Sequence, residues 1–111
     1  MPQAPFDMES ANDGEQGRLK LTGELDIATT QRVEQAVDAL LADGASRLTL
    51  DLSELDFVDS SGLRMCIVLD QRAAAEGWTL GLTRPREQAR TVFRVSGVEE
   101  TLPFVDEQGA A

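Results

Sequence analysis

The sequence predicts an α/β fold built on one mixed, largely parallel sheet of four to five strands. Three patterns point that way. Apolar residues recur at every second position in some segments and at helical spacing in others, and the two periods alternate along the chain. Helix-length segments separate the later strands, and a crossover of that length joins parallel neighbours. Gly44, Gly77 and Gly97 follow the helical segments, where a residue free to adopt positive φ ends a helix at least cost.

The elements follow in order. Phe6 and Met8 alternate like a short first strand, and Asn12-Asp13-Gly14 supplies a turn into Leu19-Lys20-Leu21, which alternates again. These two strands form a hairpin, the antiparallel pair that makes the sheet mixed. From Thr29 the spacing becomes helical: Val33, Ala36, Val37, Leu40 and Leu41 make one stripe, with Thr29 or Thr30 as the cap. Leu48, Leu50 and Leu52 then alternate with Thr49 and Asp51, a strand with one covered face whose polar side carries Asp51. Leu63 to Ala75 is apolar around most of its circumference, which predicts a deeply packed second helix, and Trp78, Leu80 and Leu82 return to strand alternation. Pro85 suits the first turn of a third helix with Ala89, Val92 and Phe93 facing inward. A short turn over Val98 to Leu102 leads past Pro103 to an edge strand at Phe104-Val105.

At 111 residues the chain suits one domain, which at this size buries roughly two thirds of its unfolded surface. Twenty acidic against ten basic residues give a net charge of −10, which repels nucleic acid and anionic membranes. No apolar run reaches the ~18 residues of a membrane span. The first residues, MPQAPFDMESANDGEQG, have neither a basic start nor an apolar signal core, so a cytoplasmic location is expected. With one cysteine, Cys66, there is no internal disulfide, and burial in the second helix is its expected fate. The chain has no histidine and a single lysine, Lys20, so a serine nucleophile lacks its usual base; neither an enzyme nor a cofactor is expected. Asp51, Asp56 and Asp59 lack the spacing of a calcium loop, and no metal is expected either. Arg86, Arg90 and Arg94 form a basic stripe at four-residue spacing, expected to be a solvated face pairing with Glu87 or nearby acids.

One stretch stands apart: Phe57-Val58-Asp59-Ser60-Ser61-Gly62-Leu63, polar residues packed into the turn between a strand and a helix. Asp59 or Ser60 can cap that helix, an ordinary role worth about 1 kcal/mol. A serine hydroxyl that reaches solvent there can also accept a phosphate from an external kinase, which brings its own base, metal and nucleotide. A phosphoserine adds about −1.5 to −2 charges, an anion that a helix N-terminus accommodates. A dianion ~5 Å from a carboxylate such as Asp26 or Asp59 meets roughly 6 kcal/mol of repulsion at an effective dielectric of 20, before screening. A near-complete two-state switch needs about 5.5 kcal/mol.

Three segments carry a resemblance: LTGELDIATT at 21–30, LTLDLSELDFVDSSGLRMCIVL at 48–69 and TVFRVSGVEETLPFV at 91–105. In order and spacing they resemble STAS domains, specifically the small bacterial anti-sigma factor antagonists. The resemblance covers about 17–106 as the core of a single domain over 1–111, leaving 1–4 and 107–111 as flexible ends. It implies helices packed largely on one face of the sheet. It also implies that Ser61, with Ser60 as second choice, is phosphorylated by an anti-sigma factor kinase of the GHKL ATPase type. The unphosphorylated form would bind that kinase and free the sigma factor, and a PP2C-type phosphatase would restore it. Asp26, Asp59, Ser60, Gly62, Leu63 and Arg64 are the expected partner surface. Other STAS proteins are subunits of lipid-transport ATPase systems or scaffolds of stress-sensing complexes. A receiver-like phosphorelay domain with Asp51 as acceptor is a further alternative, although Lys20 is misplaced for one.

Overall fold

The computed structural model describes residues 6–106; the ends expected to be flexible, 1–4 and 107–111, lie outside the described residues. In chain order the elements are β1 (Asp7–Asp13), β2 (Gln16–Leu25), α1 (Thr30–Ala42), β3 (Arg47–Val58), α2 (Ser60–Glu76), β4 (Thr79–Thr83), α3 (Glu87–Val95) and β5 (Phe104–Val105). The sheet runs β1-β2-β3-β4-β5, and only the β1–β2 hairpin is antiparallel. Each later crossover steps to the adjacent strand in the same direction, and right-handed crossovers of that kind gather the helices on one face. Beneath them Leu19, Leu21, Leu48, Leu50 and Leu82 are almost fully buried with Val33 and Val37 of α1 and Met65, Cys66 and Leu69 of α2. Cys66 is the small hydrophobe expected, and burial pushes its thiol up to about 12, far from a reactive thiolate.

Three expectations are corrected. First, α2 is packed along one stripe only: Gly62, Met65, Cys66, Leu69 and Ala73 are buried, Leu63 and Ile67 are partly covered, and Ala74 and Ala75 are exposed. No layer lies outside α2, so its outer face meets water, and exposed alanines keep helix propensity at little hydrophobic cost. Second, α3 begins two residues after Pro85, which is buried in the preceding loop. Arg86 is the extended N-cap of α3, and its guanidinium pairs with Asp56 at 2.7 Å and Glu54 at 3.2 Å on β3. Val92 is only half-buried, while Ala89 and Phe93 are fully inside. The other two arginines of the stripe pair as expected, Arg90 with Glu99 and Arg94 with Glu87.

Third, β3 continues well past Leu52. Its pairing with β2 slips once between Lys20 and Thr22 and again between Gly23 and Glu24, so β3 carries two extra residues. These bulges move the buried positions from Leu52 to Leu55 and Val58 and erase the alternation. Asp51, on the polar side of this strand, is nonetheless buried, at 7% exposure. Its carboxylate takes Arg18 Nη2 at 2.8 Å, the Ser53 amide at 3.0 Å, the Ser53 hydroxyl at 2.6 Å and the Thr83 hydroxyl at 2.8 Å, binding β2, β3 and β4 together. Burial by itself raises the Asp51 pKa, but those donors from Ser53, Thr83 and Arg18 outweigh it and bring it from an ordinary 3.8 down to about 2.

Candidate functional site

The two bulges carry β3 as far as β2, so Leu25 and Val58 end the two parallel strands in register. The turns that follow therefore start side by side, one at Asp26 and one at Asp59, and the Asp59 amide donates to the Leu25 carbonyl at 3.1 Å. Asp59 is the N-cap of α2. Its Oδ1 accepts from the Ser61 amide at 2.8 Å and the Gly62 amide at 3.1 Å. The helix start that was expected to receive a phosphate thus already holds an anion on those two N–H groups. A phosphate on Ser61 would meet Asp59 as a neighbour of like charge.

Asp26 plays a matching part before α1. Its Oδ1 accepts from the Ala28 amide at 3.0 Å and from the Thr29 hydroxyl at 3.2 Å, while its own amide donates to Thr29 Oγ1 at 2.9 Å. Thr29 is the N-cap by position, but its hydroxyl caps no amide of α1 and is spent closing this turn.

The remaining expected residues divide by depth. Ser60 and Arg64 are exposed, and Ser61 and Leu63 are half-buried. Neither serine hydroxyl is engaged by another described residue, and Arg64 forms no ion pair among the described residues. Gly62 is buried instead of presenting itself to solvent: a Cβ there would come 2.9 Å from Leu25 Cγ and 2.9 Å from Val58 Cγ1. Its part is to let α2 start directly on the ends of both strands. Two residues were not anticipated, Ile27 at 77% and Phe57 at 47% exposure, one beside Asp26 and the other two positions before Asp59. Their only sequence signal is that each is a large apolar residue outside every periodic stripe. Together with Leu63 they put hydrophobic area next to two carboxylates and two unengaged hydroxyls, a surface suited to binding.

The capping geometry makes a local prediction. Asp59→Ala should lower stability by about 1 kcal/mol in urea unfolding, whereas Asp59→Asn, which keeps an acceptor for the same amides, should lie within a few tenths of wild type.

The fold has counterparts. The family model described as Mlab, STAS domain, matches residues 8–106. The chain belongs to the STAS domain family. Among its relatives is BtrV of Bordetella bronchiseptica, provisionally named an anti-sigma factor antagonist; it is 29% identical over 91 residues, spanning 82% of this STAS chain and 78% of BtrV. The crystal structure of an anti-sigma factor antagonist from Mycobacterium paratuberculosis matches with a TM-score of 0.77 at 26% identity, over 93% of this chain and 89% of that one. Bacillus SpoIIAA in its unphosphorylated form shares the fold, with a TM-score of 0.73 at 23% identity over 96% and 92% of the two chains. The five-stranded mixed sheet with its three helices is thus the STAS fold that the sequence motifs implied. Asp51, the residue a receiver domain would phosphorylate, lies in mid-strand in this STAS domain, with its carboxylate engaged by four hydrogen bonds.

Proposed function

We propose that this STAS domain is an anti-sigma factor antagonist, a cytoplasmic binding module without catalysis of its own. Its unphosphorylated form engages an anti-sigma factor kinase of the GHKL type and so frees the sigma factor; phosphate on Ser61 weakens that engagement, and a PP2C-type phosphatase reverses it. The observation that carries this is the pair of unengaged hydroxyls, Ser60 and Ser61, directly after the fixed carboxylate of Asp59, at strand ends that also leave Ile27 and Phe57 exposed. Such a surface offers apolar area for docking and an alcohol whose esterification changes its charge without rebuilding the fold. The relatives support the same role by their names, and SpoIIAA, which shares the fold, has been solved in phosphorylated and unphosphorylated forms.

The test is to incubate the protein with candidate anti-sigma kinases from the same genome and ATP, map any phosphate by mass spectrometry, and measure complex formation. Ser61→Ala should take up no phosphate and bind whether or not ATP is present; Ser61→Asp should bind at least about tenfold more weakly, a loss of 1.4 kcal/mol or more. Phosphate still arriving on Ser61→Ala would move the acceptor to Ser60. Equal binding by the phosphorylated and unphosphorylated forms would refute the switch.

A further inference from the structure

At the junction of β4 and α3 lies a cleft of about 670 Å³, bordered by Arg18, Asp51, Thr83, Arg84, Arg90 and Val105. Its volume falls in the range of small-ligand pockets, roughly 300–1,000 Å³, and it shares no residue with the Ser61 surface. In a chain of net charge −10 three of the ten basic side chains converge here. Two are committed: Arg18 to Asp51 at 2.8 Å and Arg90 to Glu99 at 2.6 Å.

Arg84 differs from both. It forms no ion pair among the described residues, and its Cζ lies over the Phe104 ring, 5.5 Å from the centroid. Phe104 is itself fixed edge-on against the buried Phe93, at 5.5 Å between centroids. Stacking on an anchored ring restrains the guanidinium plane without consuming its N–H donors, and a restrained fork of donors is the partner that a planar carboxylate requires.

The surroundings narrow the chemistry. Thr83 and Asp51 form a buried floor whose hydrogen bonds are made within the protein, so it is rigid. Pro85 and Val105 supply apolar wall. With Arg18 facing Asp51, Arg90 facing Glu99 and Asp106 also on the lining, Arg84 is the guanidinium without an ion pair among the described residues, and a lining so nearly balanced in charge opposes a ligand with several negative charges. We propose that this cleft binds a small organic monoanion, a carboxylate on a short apolar body, with the carboxylate on Arg84 and the body against Pro85 and Val105.

The test is a two-dimensional amide NMR titration of the full chain at constant ionic strength with sodium butyrate, and in parallel with sodium phosphate and with ATP. Butyrate should saturate, with shifts centred on Thr83, Arg84, Phe104 and Val105. Arg84→Ala should weaken it about tenfold, and Arg84→Lys, which keeps the charge but not the fork, should restore only part of the affinity. Arg94→Ala, whose partner Glu87 is outside the cleft, should leave butyrate binding unchanged. Failure of butyrate to saturate, wild-type affinity in Arg84→Ala with its spectrum intact, or tighter binding of phosphate or ATP would each overturn the proposal. None of these results bears on the Ser61 switch, which is read by phosphate mapping and complex formation.

Discussion

Gly62→Ala lowers the unfolding free energy by about 2–3 kcal/mol, a large loss for a single methyl group. The added Cβ would lie 2.9 Å from Leu25 Cγ, 2.9 Å from Val58 Cγ1 and 3.0 Å from Leu25 Cδ2. Leu25 and Val58 are themselves almost completely buried, so neither has free space to retreat into. The helix start has to lift away from the strand ends, and that displacement strains the two amide bonds to Asp59. Gly62→Val should cost more again. Urea unfolding followed by circular dichroism measures the loss as a lower midpoint at unchanged slope. Because Gly62 contacts the strands from below, the same variant should also weaken partner binding, by displacing Ser61 and Leu63 instead of by removing a contact.

Asp51→Ala is expected to cost about 2–4 kcal/mol, because it strips acceptors from the Ser53 and Thr83 hydroxyls and from Arg18 in a place water reaches poorly. Asp51→Asn retains the shape and part of the bonding and should lose less. The pH dependence has a definite sign. The folded-state pKa is depressed to about 2 from an ordinary 3.8, so the stabilisation by the Asp51 carboxylate is complete above about pH 4 and is lost as the pH falls towards 2. Acid unfolding of the wild type should therefore steepen through that window. In Asp51→Asn that component should be missing, and the gap between the two proteins should narrow as the pH drops.

Helix α1 was legible in the sequence because its five apolar residues fall on a single stripe, and the ends of all three helices were legible because Gly44, Gly77 and Gly97 sit at φ of 106°, 84° and 78°. The second half of β3 was not. Two bulges shift its phase, and a pattern rule that expects period two stops at Leu52. The exposure of α2 was hidden by Ala74 and Ala75, which count as apolar in a stripe and yet sit comfortably in water. At the site, Asp59 and the serines were legible from turn chemistry, and Asp26 came forward through its place in the STAS motif. That Gly62 is a packing residue, and that Ile27 and Phe57 are uncovered, depends on how two strand ends meet, which no local pattern encodes. The cleft was invisible for a related reason: Arg18, Asp51, Arg84 and Val105 come from four different segments of the chain and meet only across the completed sheet.

The unequal lengths of the strands have one last consequence. β4 pairs with β3 only along Arg47–Leu50, while β2 accompanies β3 all the way to Val58. The serine turn consequently crowns a two-strand tongue that overhangs the rest of the sheet, steadied on one flank by the Arg86 clamp on Glu54 and Asp56 instead of by a third strand. A visiting protein can grip such a tongue from its tip and its flanks, whereas a turn set flush with the rim would present only a flat edge.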